Sequence, residues 1–137
     1  MGNKKILIVD DDPDIREGMQ VRLNYSGYDT CFAIDALSCV DAAHKEKPDL
    51  IILDLGLPKG DGFVVIEQLK RHPTLSVIPI VVVSARDARS NQERAAKAGA
   101  TAYLQKPVNN AEFLAVIRKA LGELAPVEEP GKAAAFA

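Results

Sequence analysis

Five short apolar runs, rich in Ile, Val and Leu, recur along the chain at intervals of roughly 20 to 25 residues. Four of them show little alternation between apolar and polar residues, which is typical of strands covered on both faces. The second run is more polar and suits the edge of a sheet. The runs are KILIVD at 5–10, YDTCFA at 28–33, DLIILDL at 49–55, IPIVVVSA at 78–85 and TAYLQK at 101–106.

Helical patterns separate these runs. Each pattern repeats apolar residues at intervals of three or four, which gives a helix one apolar stripe to place against a sheet. Alternating strands and helices with short connections favour a (βα)5 chain, a parallel sheet, and helices on both of its faces. The stripes are Ile15, Met19 and Leu23; Leu37, Val40 and Ala43; Phe63, Ile66 and Leu69; and Leu114, Ile117 and Leu121.

Local signals place some of the helix ends. Gly27 and Gly99 lie where a helix would end in a left-handed residue. Ser90 followed by Glu93 matches a capping box, so the Ala-rich fourth helix is predicted to begin near Ser90.

Polar residues follow four of the five predicted strands. Asp10 and Asp11 end the first strand, Asp54 the third, Ser84 the fourth and Lys106 the fifth. Ligands bind parallel sheets at the carboxyl ends of the strands, and a strand order of 2-1-3-4-5 would bring these five residues to one crevice. Three carboxylates there suit Mg²⁺, which prefers oxygen ligands. A carboxylate can also attack a phosphoryl group and become an aspartyl phosphate.

Asp12 belongs to the same run of three aspartates but has a different predicted role. It comes immediately before Pro13, so it is expected to cap a helix whose first residue is that proline. An alternative for the other two aspartates is that they are solvated acids favoured by the dipole of this helix.

Four stretches in this order and spacing resemble the receiver domain of the two-component response regulator family, which includes chemotaxis receivers. They are ILIVDDD, DLIILDLGLPKGDG, VVVSA and AGATAYLQKP. The resemblance covers residues 4–122 and implies a flavodoxin-like, doubly wound parallel sheet of five strands in the order 2-1-3-4-5. It leaves residues 123–137 as a linker, a vector remnant or a natural disordered end.

The resemblance also implies a set of roles at the crevice. Asp54 would accept the phosphoryl group, Asp10 and Asp11 would bind Mg²⁺ with Asp54, and the backbone carbonyl of Gly56 would be a further metal ligand. Ser84 would donate a hydrogen bond to a phosphoryl oxygen.

Three further roles follow from the same resemblance. Lys106 would neutralise the phosphoryl charge, and the peptide bond from Lys106 to Pro107 would be cis. Tyr103 would change rotamer as Ser84 moves and would signal to the face formed by the fourth helix, fifth strand and fifth helix; the alternative is a static aromatic with its hydroxyl in water. Arg86 lies at a position that helps set phosphoryl lifetime in this family.

The expected function is a phosphorylation-controlled signalling switch, not an enzyme acting on an external substrate. A sensor histidine kinase or phosphotransfer protein would donate the phosphoryl group, and an output domain or partner would bind the switched face, which could also form a homodimer. One alternative is a Mg²⁺-dependent phosphatase of the aspartyl-phosphate type, with Asp12 as its acid and base. Another is a receiver-like interaction module that is never phosphorylated.

Composition and charge exclude several classes of binding partner and cellular location. The 137 residues carry 17 basic and 19 acidic side chains, a net charge of -2, which gives no basic footprint for nucleic acid or an anionic membrane. No apolar segment suits a membrane span or a signal peptide, so a cytoplasmic protein is expected. Cys31 and Cys39 are expected to be free thiols. His44 and His72 lie near predicted helix ends and receive no role.

Overall fold

The computed structural model describes residues 2–123 and the backbone of residues 134–135. Strands and helices alternate through residue 120. The strands are Lys5–Val9 (β1), Asp29–Ala33 (β2), Leu50–Leu53 (β3), Ile80–Ser84 (β4), Ala102–Gln105 (β5) and Ala134–Ala135 (β6). The helices are Pro13–Tyr25 (α1), Ala36–Glu46 (α2), Gly62–Arg71 (α3), Ala88–Ala98 (α4) and Asn110–Ala120 (α5).

The sheet has the order β2-β1-β3-β4-β5-β6. Strands β1 to β5 are parallel, so the predicted order and the edge position of the polar second strand are confirmed. The sixth strand was not predicted: its two residues pair antiparallel with Tyr103 and Ala102. The rest of the predicted tail after Glu123 lies outside the described residues.

Apolar residues on the two faces of the sheet form two separate cores. Along β1, Leu7 and Val9 face the core shared with α2, α3 and α4, whereas Ile6 and Ile8 face the core shared with α1 and α5. Burial on both faces accounts for the continuous apolar runs in the sequence. None of the helices in the described part of the chain has the length and apolar character needed to cross a membrane.

Two details of the predicted helices are corrected. Leu37 is 68% exposed, because Ala36, Cys39 and Ala43 form the buried face of α2. Helix α4 begins at Ala88, before the predicted capping box, because the Asp87 side chain accepts a hydrogen bond from the Ser90 backbone N–H. The left-handed residues at the ends of α1 and α4 are confirmed, with φ of 94° at Gly27 and 120° at Gly99.

Candidate functional site

The pairing of β1 with β3 brings the strand-end acids together. Val9 lies opposite Leu53 in the parallel register, and the N–H of Asp54 donates to the carbonyl of Val9 at 3.0 Å. The next residues along both strands therefore leave the sheet side by side. Carboxylate oxygens of Asp10, Asp11 and Asp54 lie within 4.8 Å of one another.

Asp10 is the buried member of this acidic pocket, with 1% of its surface exposed. Its Oδ1 accepts a hydrogen bond from the N–H of Asp12 at 3.0 Å, and its Oδ2 lies 2.8 Å from Lys106 Nζ. The guanidinium of Arg16 donates to the backbone carbonyl of Asp10 at 3.0 Å and lies 4.6 Å from the centre of the Phe32 ring. Arg16 was not predicted from the sequence. The only sequence feature that could have indicated it is its position one turn after the residue that caps α1.

Lys106 is held at the end of β5 by its backbone N–H, which donates to the carbonyl of Ser84 at 2.8 Å. Its ammonium lies 2.8 Å from Asp10 Oδ2 and 3.5 Å from Asp54 Oδ2, and the peptide bond to Pro107 is cis. Burial lowers the pKa of Lys106, but the hydrogen bond to Asp10 and the charges of Asp54 and Asp10 outweigh burial and hold that pKa above its ordinary value. The side chain is therefore a fixed cation.

Asp54 is partly exposed beside this cation. Its Oδ1 accepts a hydrogen bond from the N–H of Gly56 at 3.1 Å, and its Oδ2 lies 3.5 Å from Lys106 Nζ. A Cβ at Gly56 would lie 3.9 Å from Asp54 Oδ1, an ordinary contact distance, so this position has room for a larger residue.

The loop after Asp54 returns against the sheet through a close approach at Gly62. A Cβ on Gly62 would lie 2.6 Å from Leu55 Cα and 2.9 Å from the Leu55 carbonyl oxygen. The Asp61 side chain caps α3 by accepting from the N–H of Phe63 at 2.9 Å. The start of α3 therefore braces the residue that follows Asp54.

Ser84 and Tyr103 each have only 1% of their surface exposed, and both contact the backbone of Arg86. The N–H of Arg86 donates to Ser84 Oγ at 3.2 Å, and the Tyr103 hydroxyl donates to the carbonyl of Arg86 at 2.9 Å. The Tyr103 hydroxyl is thus bonded to protein, contrary to the alternative that placed it in water. Burial raises the pKa of Tyr103, so the phenol is neutral.

Asp12 stands apart from the acidic pocket. Its Oδ1 accepts hydrogen bonds from the N–H groups of Asp14 at 2.9 Å and Ile15 at 3.3 Å, and Pro13 is the first residue of α1. The prediction that Asp12 is a helix cap is confirmed.

The acidic pocket fits a divalent cation that prefers oxygen ligands. Three carboxylates and one ammonium leave two formal negative charges uncompensated at the end of the sheet. Hard cations such as Mg²⁺ bind carboxylate and carbonyl oxygens and usually keep several waters. The donors present, Asp10, Asp11 and Asp54, match this requirement.

Comparison with protein families gives a match to the response regulator receiver domain over residues 6–118. The chain is 37% identical over 132 residues to the response regulator MprA of Mycolicibacterium vanbaalenii, covering 96% of this chain and 56% of that protein. It is 39% identical over 121 residues to the alkaline phosphatase synthesis transcriptional regulatory protein PhoP of Bacillus subtilis, covering 85% of this chain and 50% of that protein. The chain spans about half the length of these curated relatives.

Solved structures give the same result. A response regulator receiver domain protein (CheY-like) from Methanospirillum hungatei superposes with a TM-score of 0.82 at 29% identity, covering 88% of this chain and 95% of that one. The receiver domain of the sensor histidine kinase PA1611 from Pseudomonas aeruginosa, with a magnesium ion coordinated in its active-site cleft, superposes with a TM-score of 0.81 at 25% identity, covering 89% and 100%.

Proposed function

The chain belongs to the response regulator receiver domain family, and on that basis we propose that it is a signalling switch that accepts a phosphoryl group on Asp54 in a Mg²⁺-dependent reaction. The donor is a sensor histidine kinase or a phosphotransfer protein. The observation that carries the proposal is the position of Asp54, whose carboxylate is partly exposed and lies 3.5 Å from Lys106 Nζ beside two further acids.

In the proposed transfer, an oxygen of Asp54 attacks the phosphorus atom, an O–P bond forms, and the bond from phosphorus to the donor nitrogen breaks. The phosphorus–nitrogen electron pair leaves with the donor. Lys106 contributes a fixed positive charge near the phosphoryl oxygens, and the hydroxyl of Ser84 donates a hydrogen bond to one of them.

Asp10, Asp11 and Asp54, with the backbone carbonyl of Gly56, are the proposed ligands of Mg²⁺. When bound, the ion would neutralise negative charge on the carboxylates and on the phosphoryl group. The magnesium ion in the cleft of the Pseudomonas aeruginosa receiver supports this assignment.

The proposed output runs from Ser84 to Tyr103 through the backbone of Arg86. When Ser84 turns toward a phosphoryl oxygen, it releases the N–H of Arg86, whose carbonyl holds the Tyr103 hydroxyl. A change at Tyr103 alters the face formed by α4, β5 and α5, where an output domain, a partner or a second copy binds. We assign this activity to residues 4–122, the proposed receiver domain.

Two alternatives make different predictions. A phosphatase of the aspartyl-phosphate type would need Asp12 as a free acid, but Asp12 Oδ1 already accepts two backbone hydrogen bonds at the start of α1. An interaction module that is never phosphorylated would not require Asp54 and Lys106 to lie side by side. The receiver activity is self-catalysed transfer to Asp54 and hydrolysis from it, with no turnover of an external substrate.

Incubation with Mg²⁺ and a small-molecule phosphodonor, followed by intact mass spectrometry, tests the proposal. We expect one phosphoryl adduct that requires Mg²⁺, is absent in Asp54→Asn, and decays on standing. No adduct, or an adduct that persists in Asp54→Asn, would contradict the assignment. Multiple turnovers on small phosphate esters would instead favour the phosphatase.

A further inference from the structure

The two histidines of the chain, 28 residues apart in sequence, meet at the ends of α2 and α3. His44 lies in the last turn of α2, and His72 is the cap residue that ends α3. Their ring centroids lie 4.8 Å apart with an interplanar angle of 89°. The fold therefore creates an imidazole pair that no local spacing in the sequence indicated.

Neither imidazole has a polar partner in the described part of the chain. Among residues 2–123, neither ring makes a hydrogen bond or an ion pair with another residue. His44 is exposed and His72 is half-buried. Helices α2 and α3 run back from the carboxyl ends of the strands, so the pair lies at the edge of the sheet opposite the acidic pocket.

We propose that His44 and His72 form a two-imidazole site for a divalent late transition metal such as Ni²⁺, Cu²⁺ or Zn²⁺. Two imidazoles bound cis to one metal, with metal–nitrogen bonds of about 2.1 Å, have ring centroids roughly 5 Å apart. The observed separation of 4.8 Å is close to this value. The rings meet edge to face at 89°, so binding of a shared metal requires a change in the orientation of the rings.

The surroundings select the class of metal. Imidazole favours Cu²⁺, Ni²⁺ and Zn²⁺ over Mg²⁺, which prefers oxygen ligands. Among the described residues, no acidic side chain or cysteine joins the two histidines as a third ligand, so water completes the coordination. Basic side chains of Lys45 and Arg71 flank the pair in sequence, and the partial negative charges at the two helix ends oppose their repulsion.

Titration of the untagged 137-residue protein with NiCl₂, in excess MgCl₂ to saturate the acidic pocket, tests the site. We expect one Ni²⁺ per chain, and a loss of affinity of roughly tenfold or more in His44→Gln and in His72→Gln, because each variant removes one of two ligands. Glu67→Gln, an exposed change on α3, should bind Ni²⁺ as the unsubstituted protein does.

A second measurement needs no substitution. In long-range ¹H–¹⁵N spectra, Zn²⁺ should shift the ring resonances of both histidines together. Unchanged Ni²⁺ affinity in either histidine variant, or a shift of only one ring, would overturn the proposal.

Discussion

The ammonium of Lys106 lies closer to Asp10, at 2.8 Å, than to Asp54, at 3.5 Å. The cation is thus held by the buried acid while it remains within reach of the more accessible one. This arrangement leaves Asp54 accessible for chemistry while the positive charge stays in place beside it.

Removal of the Lys106 charge should separate metal binding from phosphoryl transfer. We expect Lys106→Met to bind Mg²⁺ several-fold more tightly, because a repelling cation is lost, and to accept a phosphoryl group at least about tenfold more slowly, because charge stabilisation is lost. Calorimetric titration with Mg²⁺ and the time course of the mass adduct measure the two effects. Lys119→Met, an exposed change on α5, serves as the control. Weaker Mg²⁺ binding in Lys106→Met would contradict this prediction and show that Lys106 holds the three carboxylates in position for the ion.

Asp11 and Asp12 should respond differently to the same substitution. Asp11→Asn should weaken Mg²⁺ binding markedly because a pocket carboxylate is lost, whereas Asp12→Asn should leave it nearly unchanged, because asparagine also caps helices. Asp12→Ala should lower the free energy of unfolding by about 1 kcal/mol through loss of the cap. Mg²⁺ titration and urea unfolding measure these effects; equal loss of Mg²⁺ affinity in both asparagine variants would mean that the three aspartates act as one cluster.

Tyr103→Phe should separate phosphorylation from its output. The phenol hydroxyl contacts the Arg86 carbonyl and not the acidic pocket, so the variant should acquire the phosphoryl group at a near-normal rate. Changes in the amide resonances of α4 and β5 on phosphorylation should shrink, because the hydroxyl contact that links them to Ser84 is gone. Tyr25→Phe, at a side chain that is 93% exposed, is the matched control. A full response in Tyr103→Phe would identify Tyr103 as a static core residue.

The hydrogen bond between Tyr28 and Glu123 should stabilise the end of α5 in a pH-dependent way. The Tyr28 hydroxyl donates to Glu123 Oε1 at 2.6 Å, and Lys4 Nζ lies 3.2 Å from Glu123 Oε2. Burial, with the hydrogen bond to Glu123, raises the pKa of Tyr28 to about 12. Because the ordinary value in the unfolded chain is about 10, this contribution is complete below about pH 10 and is lost as the pH rises toward 12.

Tyr28→Phe should therefore lower the free energy of unfolding by about 1.5 kcal/mol near pH 8 and by progressively less above pH 10. Urea unfolding followed by circular dichroism across this range measures the difference. Glu93→Gln, in an exposed pair with Lys97, should change stability by less than about 0.5 kcal/mol. A difference between Tyr28→Phe and the unsubstituted protein that stays constant to pH 12 would contradict the raised pKa.

Two glycine substitutions should have opposite effects. Gly18 lies within α1, and a Cβ added there would meet no atom within 4 Å apart from its chain neighbours and the backbone of its own helix, so Gly18→Ala should stabilise the protein by about 1 kcal/mol. Gly62→Ala should destabilise it by about 1–3 kcal/mol, because the methyl group would meet the Leu55 backbone, and should slow phosphorylation by displacing the loop after Asp54. Thermal unfolding and the adduct time course measure both effects. Normal stability in Gly62→Ala would mean that the loop after Asp54 moves to accommodate the methyl group at little cost in free energy.

Much of the architecture was predictable because local patterns and burial agree. The apolar runs correspond to five strands that are buried on one or both faces, and the residues after them lie where parallel strands end. Asp12 was separable from Asp10 and Asp11 because a proline follows it, and a cap needs only local backbone contacts.

The missed features depend on contacts between distant residues or on competing local signals. The histidine pair, the link from Tyr28 to Glu123 and the contact of Arg16 with Phe32 join segments that only the folded chain brings together. At α4, both Asp87 and Ser90 can cap a helix, and the earlier residue caps the observed one.

The parallel register of β1 and β3 has a consequence for transferring this site to another protein. Side chains alternate between the two faces of a strand, so a shift of one residue between Val9 and Leu53 would turn Asp54 away from Asp10 while leaving every residue type present. A graft of the acidic pocket onto a different parallel sheet would therefore succeed only in a host whose two neighbouring strands end at the same level, whatever its loops contain.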